Sequence, residues 1–425
     1  LVDRILFSDL RKKRTANNRS MKKFVFALLV LASCAKEDSV GPASAKTFIR
    51  YFNGGNSDEA KAILETSDKG LLILATTQVA IEGADPIFKI KLIKTDAFGN
   101  LIWQKLYPEI NNTTDSYKGN GLSVDPAGGY VIVGEDIQQS KSKLLILVVG
   151  EDGTEISKKT MMSTFPAKGL GVMPSPTVGN FYVLGSLPEG ASSNNIILTE
   201  CRPKTATLHF DSLWYQIYGA GTLNGLMNRI YTYQSNIFFA ANVAKDSNPI
   251  QVQFTKTPPN SKGTIGDFSL GEPGTEEIGD DLVPFGFDFL LVGQSKANAT
   301  ADFLVMLKNI SSAGIEISSK TYPIPSQEGP ANGNGVCISR NGGTVILATS
   351  KLSGNLGRGE TDYCLIRVDG DGTQLWTKSY GSKYEDVGVG IITTSDGGHV
   401  ILGTTNLANT KSILVMKTDS NGNIE

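Results

Sequence analysis

The sequence predicts an all-β fold, a seven-bladed ring of four-stranded antiparallel blades in which the N-terminal strand closes the last blade. Three observations carry that expectation. One pattern recurs through the 425-residue chain from residue 47 to 423, seven times at about 54 residues per copy. Each copy holds four short runs of alternating or wholly apolar residues. The runs are punctuated by Gly-Gly, Asn-Gly and Asp-x-x-Gly turns, which supply the positive φ of tight hairpins, and no convincing amphipathic helix interrupts them. Repeated sheets of this size bury their faces by packing radially, as in a β-propeller.

The chain opens with a basic, unpatterned stretch at 1–20, expected to be an upstream extension with Met21 as the true start. Residues 21–33 follow as a signal peptide: Met21-Lys22-Lys23, an apolar core from Phe24 to Leu31, then small residues. That core is too short to span a bilayer as a helix. Leu31-Ala32-Ser33-Cys34 resembles a bacterial lipobox, and the resemblance implies lipidation of Cys34 and anchorage in the outer membrane. The acids Glu37 and Asp38, soon after Cys34, resemble the surface-export signal of Bacteroidota lipoproteins, which would place the body on the cell surface. Residues 34–46 read as a tether, and 47–425 as the propeller.

Within 47–425 the copies align in order. Residues 101–153 and 374–423 show the pattern most clearly: an aromatic strand, a polar loop, a small-residue strand, a Gly-Gly turn, an apolar strand, a second loop, an apolar strand and an Asp-x-x-Gly turn. Residues 47–100 and 315–373 repeat it, and the copies near 155–207, 208–263 and 264–314 keep its order around FYVLGS, IFFAAN and FLLVGQ. The phase leaves 47–53 as an outer strand with no blade before it, and the last copy without an outer strand. Pairing 47–53 with 413–419 closes the ring and removes two exposed edges. Trp-x-Lys-x-Tyr-Gly, Asp-Gly-Gly-x-Val-Ile-x-Gly and Leu-x-Lys-x-Asp-x-x-Gly-Asn together resemble the repeat of bacterial secreted and lipoprotein propellers, distantly similar to quinoprotein and WD40-like propellers. The resemblance implies the fold and leaves activity open.

Composition excludes several functions. Forty Lys+Arg against 42 Asp+Glu give no basic surface for nucleic acid, so no nucleic-acid partner is expected. Loss of 1–33 removes eight basic residues and two acids, leaving 32 against 40, a mildly acidic body. Two His leave little for a metal centre, and neither a metal nor another cofactor is expected. Four Cys cannot form a disulfide framework in so long a chain; Cys201, Cys337 and Cys364 read as small core residues. Trp103, Trp214 and Trp376 share one repeat position, each followed four residues later by Tyr107, Tyr218 or Tyr380, which points to blade-to-blade packing.

No catalytic residue is assigned. Ser140-x-x-Lys143 matches a Ser-Lys nucleophile pattern by chance composition of a polar loop. Asp369-x-Asp371-Gly372 and Asp419-x-Asn421-Gly422 read as hairpin turns rather than calcium loops. Asp58, Glu276 and Asp386 share a position just before the first strand of their copies, which makes them the candidate channel-mouth acids. They could ring the channel to bind cations or sugar hydroxyls, or each could fix its loop by accepting backbone N–H groups. The expected function is a non-catalytic binding or scaffold propeller for a glycan, peptide or protein partner, held by its lipid anchor. The ligand is expected on the face carrying the connections 108–117, 186–194, 271–277, 323–331, 350–361 and 405–411. The alternative is a secreted propeller enzyme, a hydrolase, lyase or quinone-dependent oxidoreductase, with its site at the channel mouth.

Overall fold

The computed structural model describes residues 47–424 apart from 140, 162–165, 190–192, 203–210, 219–221, 245–248, 260–265, 356 and 408–409. Cys34, Ser140 and His209 therefore lie outside the described residues. Seven four-stranded antiparallel sheets account for the 28 strands, and no helix occurs among the described residues. The inner strands of blades 1 to 7 are Ser57–Glu65, Ser116–Val124, Lys168–Pro174, Thr222–Tyr233, Glu276–Phe285, Gln327–Ile338 and Asp386–Thr393. Each inner strand touches the next, and the seventh touches the first, so the blades form a closed ring.

The closure is the predicted one. Phe48–Phe52 is the outer strand of blade 7 and pairs antiparallel with Thr410–Thr418, from Phe48 opposite Lys417 to Phe52 opposite Ile413. The first and last strands of the ring thus share one sheet, and neither end leaves a free edge there.

The strand patterns follow from position in the blade. Side chains alternate between the two faces of a sheet, and each blade buries both faces against neighbours. Central strands therefore read as apolar runs, such as Leu71–Ile81 and Lys141–Val149. The buried apolar residues form seven clusters, each drawn from two adjacent blades. Inner strands are poor in bulky residues because seven of them crowd one axis. A Cβ on Gly121 would lie 2.5 Å from Leu170 O of the next blade, and one on Gly335 would lie 3.2 Å from Gly390 Cα. All seven inner strands carry a bulge at the same place, skipping Lys61, Asn120, Leu170, Asn224, Asp280, Asn334 and Val389 in the pairing.

The Trp-x-Lys-x-Tyr motif is a latch between blades. The Trp103 ring of blade 1 lies over Gly153 in the turn of blade 2, and Tyr107 donates to the Gly153 carbonyl. Blade 6 repeats this on blade 7: Trp376 covers Gly422, Lys378 donates to Asn421 O at 2.7 Å, and Tyr380 donates to Gly422 O. Blade 5 keeps two parts, with Lys320 on Asp371 O and Tyr322 on Gly372 O. Phe48 covers Gly99 of blade 1, so the closing strand uses the same latch. Trp214 differs, donating to Glu200 of its own blade at 2.8 Å while Tyr218 bonds Thr257 of blade 4. The turns beneath the latches are tied by their own acids: Asp419 Oδ1 accepts from Asn421 N and Asn423 N, and Asp369 Oδ1 from Asp371 N and Thr373 N.

Candidate functional site

Two regions hold the chemistry-bearing side chains: the loop face, where inner strands begin, and the middle of the inner strands near the axis. The loop face carries the connections 108–115, 271–275, 323–326, 353–361 and 381–385. Two expected loops are shorter than the sequence suggests. Residues 186–189, 193–194, 405–407 and 410–411 are extended strand, because Phe181–Glu189 pairs with Ser193–Arg202 and His399–Leu407 with Thr410–Thr418 out to their ends.

The three candidate acids do not converge on a channel mouth. Asp58 lies in blade 1, Glu276 in blade 5 and Asp386 in blade 7. Asp58 and Asp386 are fully buried within the ring. Glu276 is half-buried and pairs with Lys296 directly across the hairpin at 2.7 Å. The bulges also correct the alignment. Asp58 and Asp386 stand two residues before the bulges at Ala60/Ala62 and Gly388/Gly390, and the matching residue in blade 5 is Glu277. Counting from turns alone missed this by one residue, because it placed the acids outside the strands, whereas the pairing includes them.

Each acid has a different partner set. Asp58 accepts from the Thr77 hydroxyl and lies 2.7 Å from Lys91 Nζ, an ion pair buried inside blade 1. Glu277 lies 3.0 Å from the buried Lys308 ammonium, and burial pushes its carboxyl above the usual range. Asp386 matches the loop-fixing expectation: its Oδ2 accepts from Ser382 N at 2.6 Å.

Nearer the axis, the bulge of blade 5 presents an acid that the sequence did not single out. Asp280 is the skipped residue there, and its Oδ2 is buried without a partner. Burial, helped by the adjacent Asp281 charge, raises its carboxyl to about 7. Asp281 accepts from Arg229 Nε at 2.8 Å, Leu282 N at 3.0 Å and Val336 N at 3.0 Å. The signal for Asp280 was the bulge, which the pattern of apolar residues does not encode: the same position holds Lys61, Leu170 and Val389 elsewhere.

The three described thiols and His399 are held neutral, chiefly by burial. Cys201, Cys337 and Cys364 are buried and free. Cys337 Sγ lies 3.8 Å from His399 Nδ1, the spacing of a Cys–His dyad. Burial pushes the Cys337 thiol up to about 12 and, with the Arg367 charge, pushes His399 down to about 4. Both are neutral at pH 7, so the pair supplies neither a thiolate nor an imidazolium. Among the described residues no three His, Cys, Asp or Glu side chains converge as a metal-ligand set.

No protein-family model and no curated protein matches the chain. Solved structures match it at low identity. A polysaccharide lyase, an ulvan lyase, is 10% identical over 87% of this chain and 96% of its own, with a TM-score of 0.51. A fungal alcohol oxidase in complex with copper is 11% identical over 88% of this chain and 76% of its own, with a TM-score of 0.50. A protein of unknown function from Dyadobacter fermentans is 8% identical over 88% of this chain and 98% of its own, with a TM-score of 0.48. At these identities the likeness concerns the fold alone: the chain is an all-β, seven-bladed propeller.

Proposed function

We propose that the protein is a lipid-tethered binding propeller that takes a glycan, peptide or protein partner on its loop face, anchored through Cys34 at the bacterial outer membrane. The observation that carries this reading is the commitment of the reactive groups. Asp58 is paired to Lys91 and Asp386 is tied to loop backbone through one oxygen, Oδ2, while Cys337 and His399 are neutral and buried. The loop face, in contrast, presents exposed polar groups on a rigid ring, among them Asn355, Arg358, Glu360 and Lys383. Binding by the mature chain to a glycan array and to envelope proteins tests the reading. Joint replacement of Arg358, Glu360 and Lys383 by Ala should weaken binding at least about tenfold without moving the unfolding midpoint. An unchanged affinity would place recognition elsewhere.

A second reading, a secreted enzyme, is favoured by one group. Asp280 exchanges its proton near neutral pH beside the Arg229–Asp281 pair, as a general acid or base would. Turnover of a polysaccharide by the wild type and its loss in Asp280→Asn would establish this reading; turnover that survives the substitution would remove it.

A further inference from the structure

Blade 1 shows how an acid at the start of an inner strand is neutralised. Asp58 and Thr77 face each other in register, the Thr77 hydroxyl donates to Oδ1, and the Lys91 ammonium sits 2.7 Å from Oδ2. Blade 7 repeats the cross-strand pair as Asp386 opposite Thr405. The ammonium has no counterpart. Ala60 leads through Ala75 to Lys91, whereas the matching Gly388 leads through Gly403 to Leu414. Asp386 Oδ1 and Thr405 Oγ1 are both buried with no partner, on residues that are 0% exposed.

A second carboxylate closes on the same place. Asp362 begins the third strand of blade 6, and its neighbour Thr361 is tied to Asp386: Asp386 N donates to Thr361 O at 3.1 Å and to Thr361 Oγ1 at 3.2 Å, and the Thr361 hydroxyl donates to Asp386 O at 2.9 Å. Asp362 is 0% exposed, accepts from Arg358 N at 3.0 Å through Oδ2, and leaves Oδ1 without a partner. Both acids face Gly381. A Cβ there would collide with Asp362 Oδ1 and lie 3.2 Å from Asp386 Oδ2. Neither acid makes an ion pair among the described residues. Burial, with the Asp386 charge adding to it, raises the Asp362 carboxyl, and the Arg358 backbone N–H and charge offset this only in part; the Tyr51 and Tyr363 hydroxyls beside Asp386, the second in hydrogen-bonding reach of it, are raised chiefly by burial. Two adjacent buried carboxylates with unanswered oxygens need a cation or a proton between them.

We propose that Asp362, Asp386 and Thr405 hold a divalent cation of calcium type, in the place that the Lys91 ammonium fills in blade 1. The donors are hard oxygens, and two carboxylates balance two positive charges. The remaining coordination falls to backbone carbonyls and water, as is usual for calcium. The ion would pin the connections 353–361 and 381–385 to each other. The site does not depend on what the loop face binds.

Calorimetric titration of the chelator-stripped full chain with Ca²⁺, Mg²⁺ and Na⁺, with thermal unfolding in parallel, tests the proposal. One Ca²⁺ per chain should bind and raise the midpoint by mass action. Asp386→Asn and Thr405→Val should each weaken binding at least about tenfold, as loss of even indirect ligand support does. Thr405→Val removes one uncharged donor, so it decides the matter alone if Asp386→Asn does not fold. Absence of binding by all three ions would overturn the proposal. So would binding of unchanged affinity in Thr405→Val, because the ion would then sit elsewhere.

Discussion

His399 and Asp280 act on stability in opposite directions. His399 is buried neutral, with its folded pKa lowered to about 4. The unfolded chain binds more protons than the folded one between about pH 6.5 and 4, so the contribution of His399 is present above that window and lost as pH falls through it. The magnitude is about 2–3 kcal/mol, and His399→Asn should flatten the decline of the urea midpoint over this range. Asp280 has its folded pKa raised to about 7. Here the folded state binds more protons, so the contribution of Asp280 is fully present below about pH 4 and is lost as pH rises through 7. Asp280→Asn should therefore stabilise the protein at pH 8 by about 4 kcal/mol and have little effect at pH 4, read as unfolding midpoints at the two values. A stabilisation equal at both values would show that its charge is not the cause.

At the scale of elements, the latches make the repeat cohere. Gly422 has φ +74° and lies under Trp376. Gly422→Ala meets both the left-handed backbone and the ring, with an expected loss of about 2–3 kcal/mol in thermal unfolding. In a Trp376→Ala background the loss should shrink to the backbone part alone, about 1 kcal/mol. This coupling separates packing across the blade junction from strain in the turn. The Trp-x-Lys-x-Tyr spacing was legible because the alternation of a strand puts all three side chains on the face that meets the next turn. Glu276 was misplaced by one residue for the matching reason: a bulge shifts the strand against its partner, and nothing in the apolar pattern marks where it falls.

The whole ring depends on the pairing of its ends. Removal of 47–53 would expose the edge of Thr410–Thr418 and strip Phe48 from Gly99. The shortened chain should lose several degrees in unfolding midpoint and associate through the bared edge, as size-exclusion chromatography would show. A monomer of unchanged stability would mean that the closing strand contributes nothing.

The sequence alone determined the number of blades, the phase of their strands, the closing strand and the packing role of its tryptophans. These are properties of local period and turn chemistry, repeated often enough to be read without coordinates. Only the tertiary structure decided which acids are answered. The partners of Asp58, Asp280, Asp362 and Asp386 come from register, from bulges and from the neighbouring blade. Lys91 stands where the matching residue of blade 7 is Leu414, and that difference carries meaning only once the strands are paired. Charge compensation in a buried site is a matter of a few ångströms between residues distant in sequence, and no one-dimensional pattern fixes it.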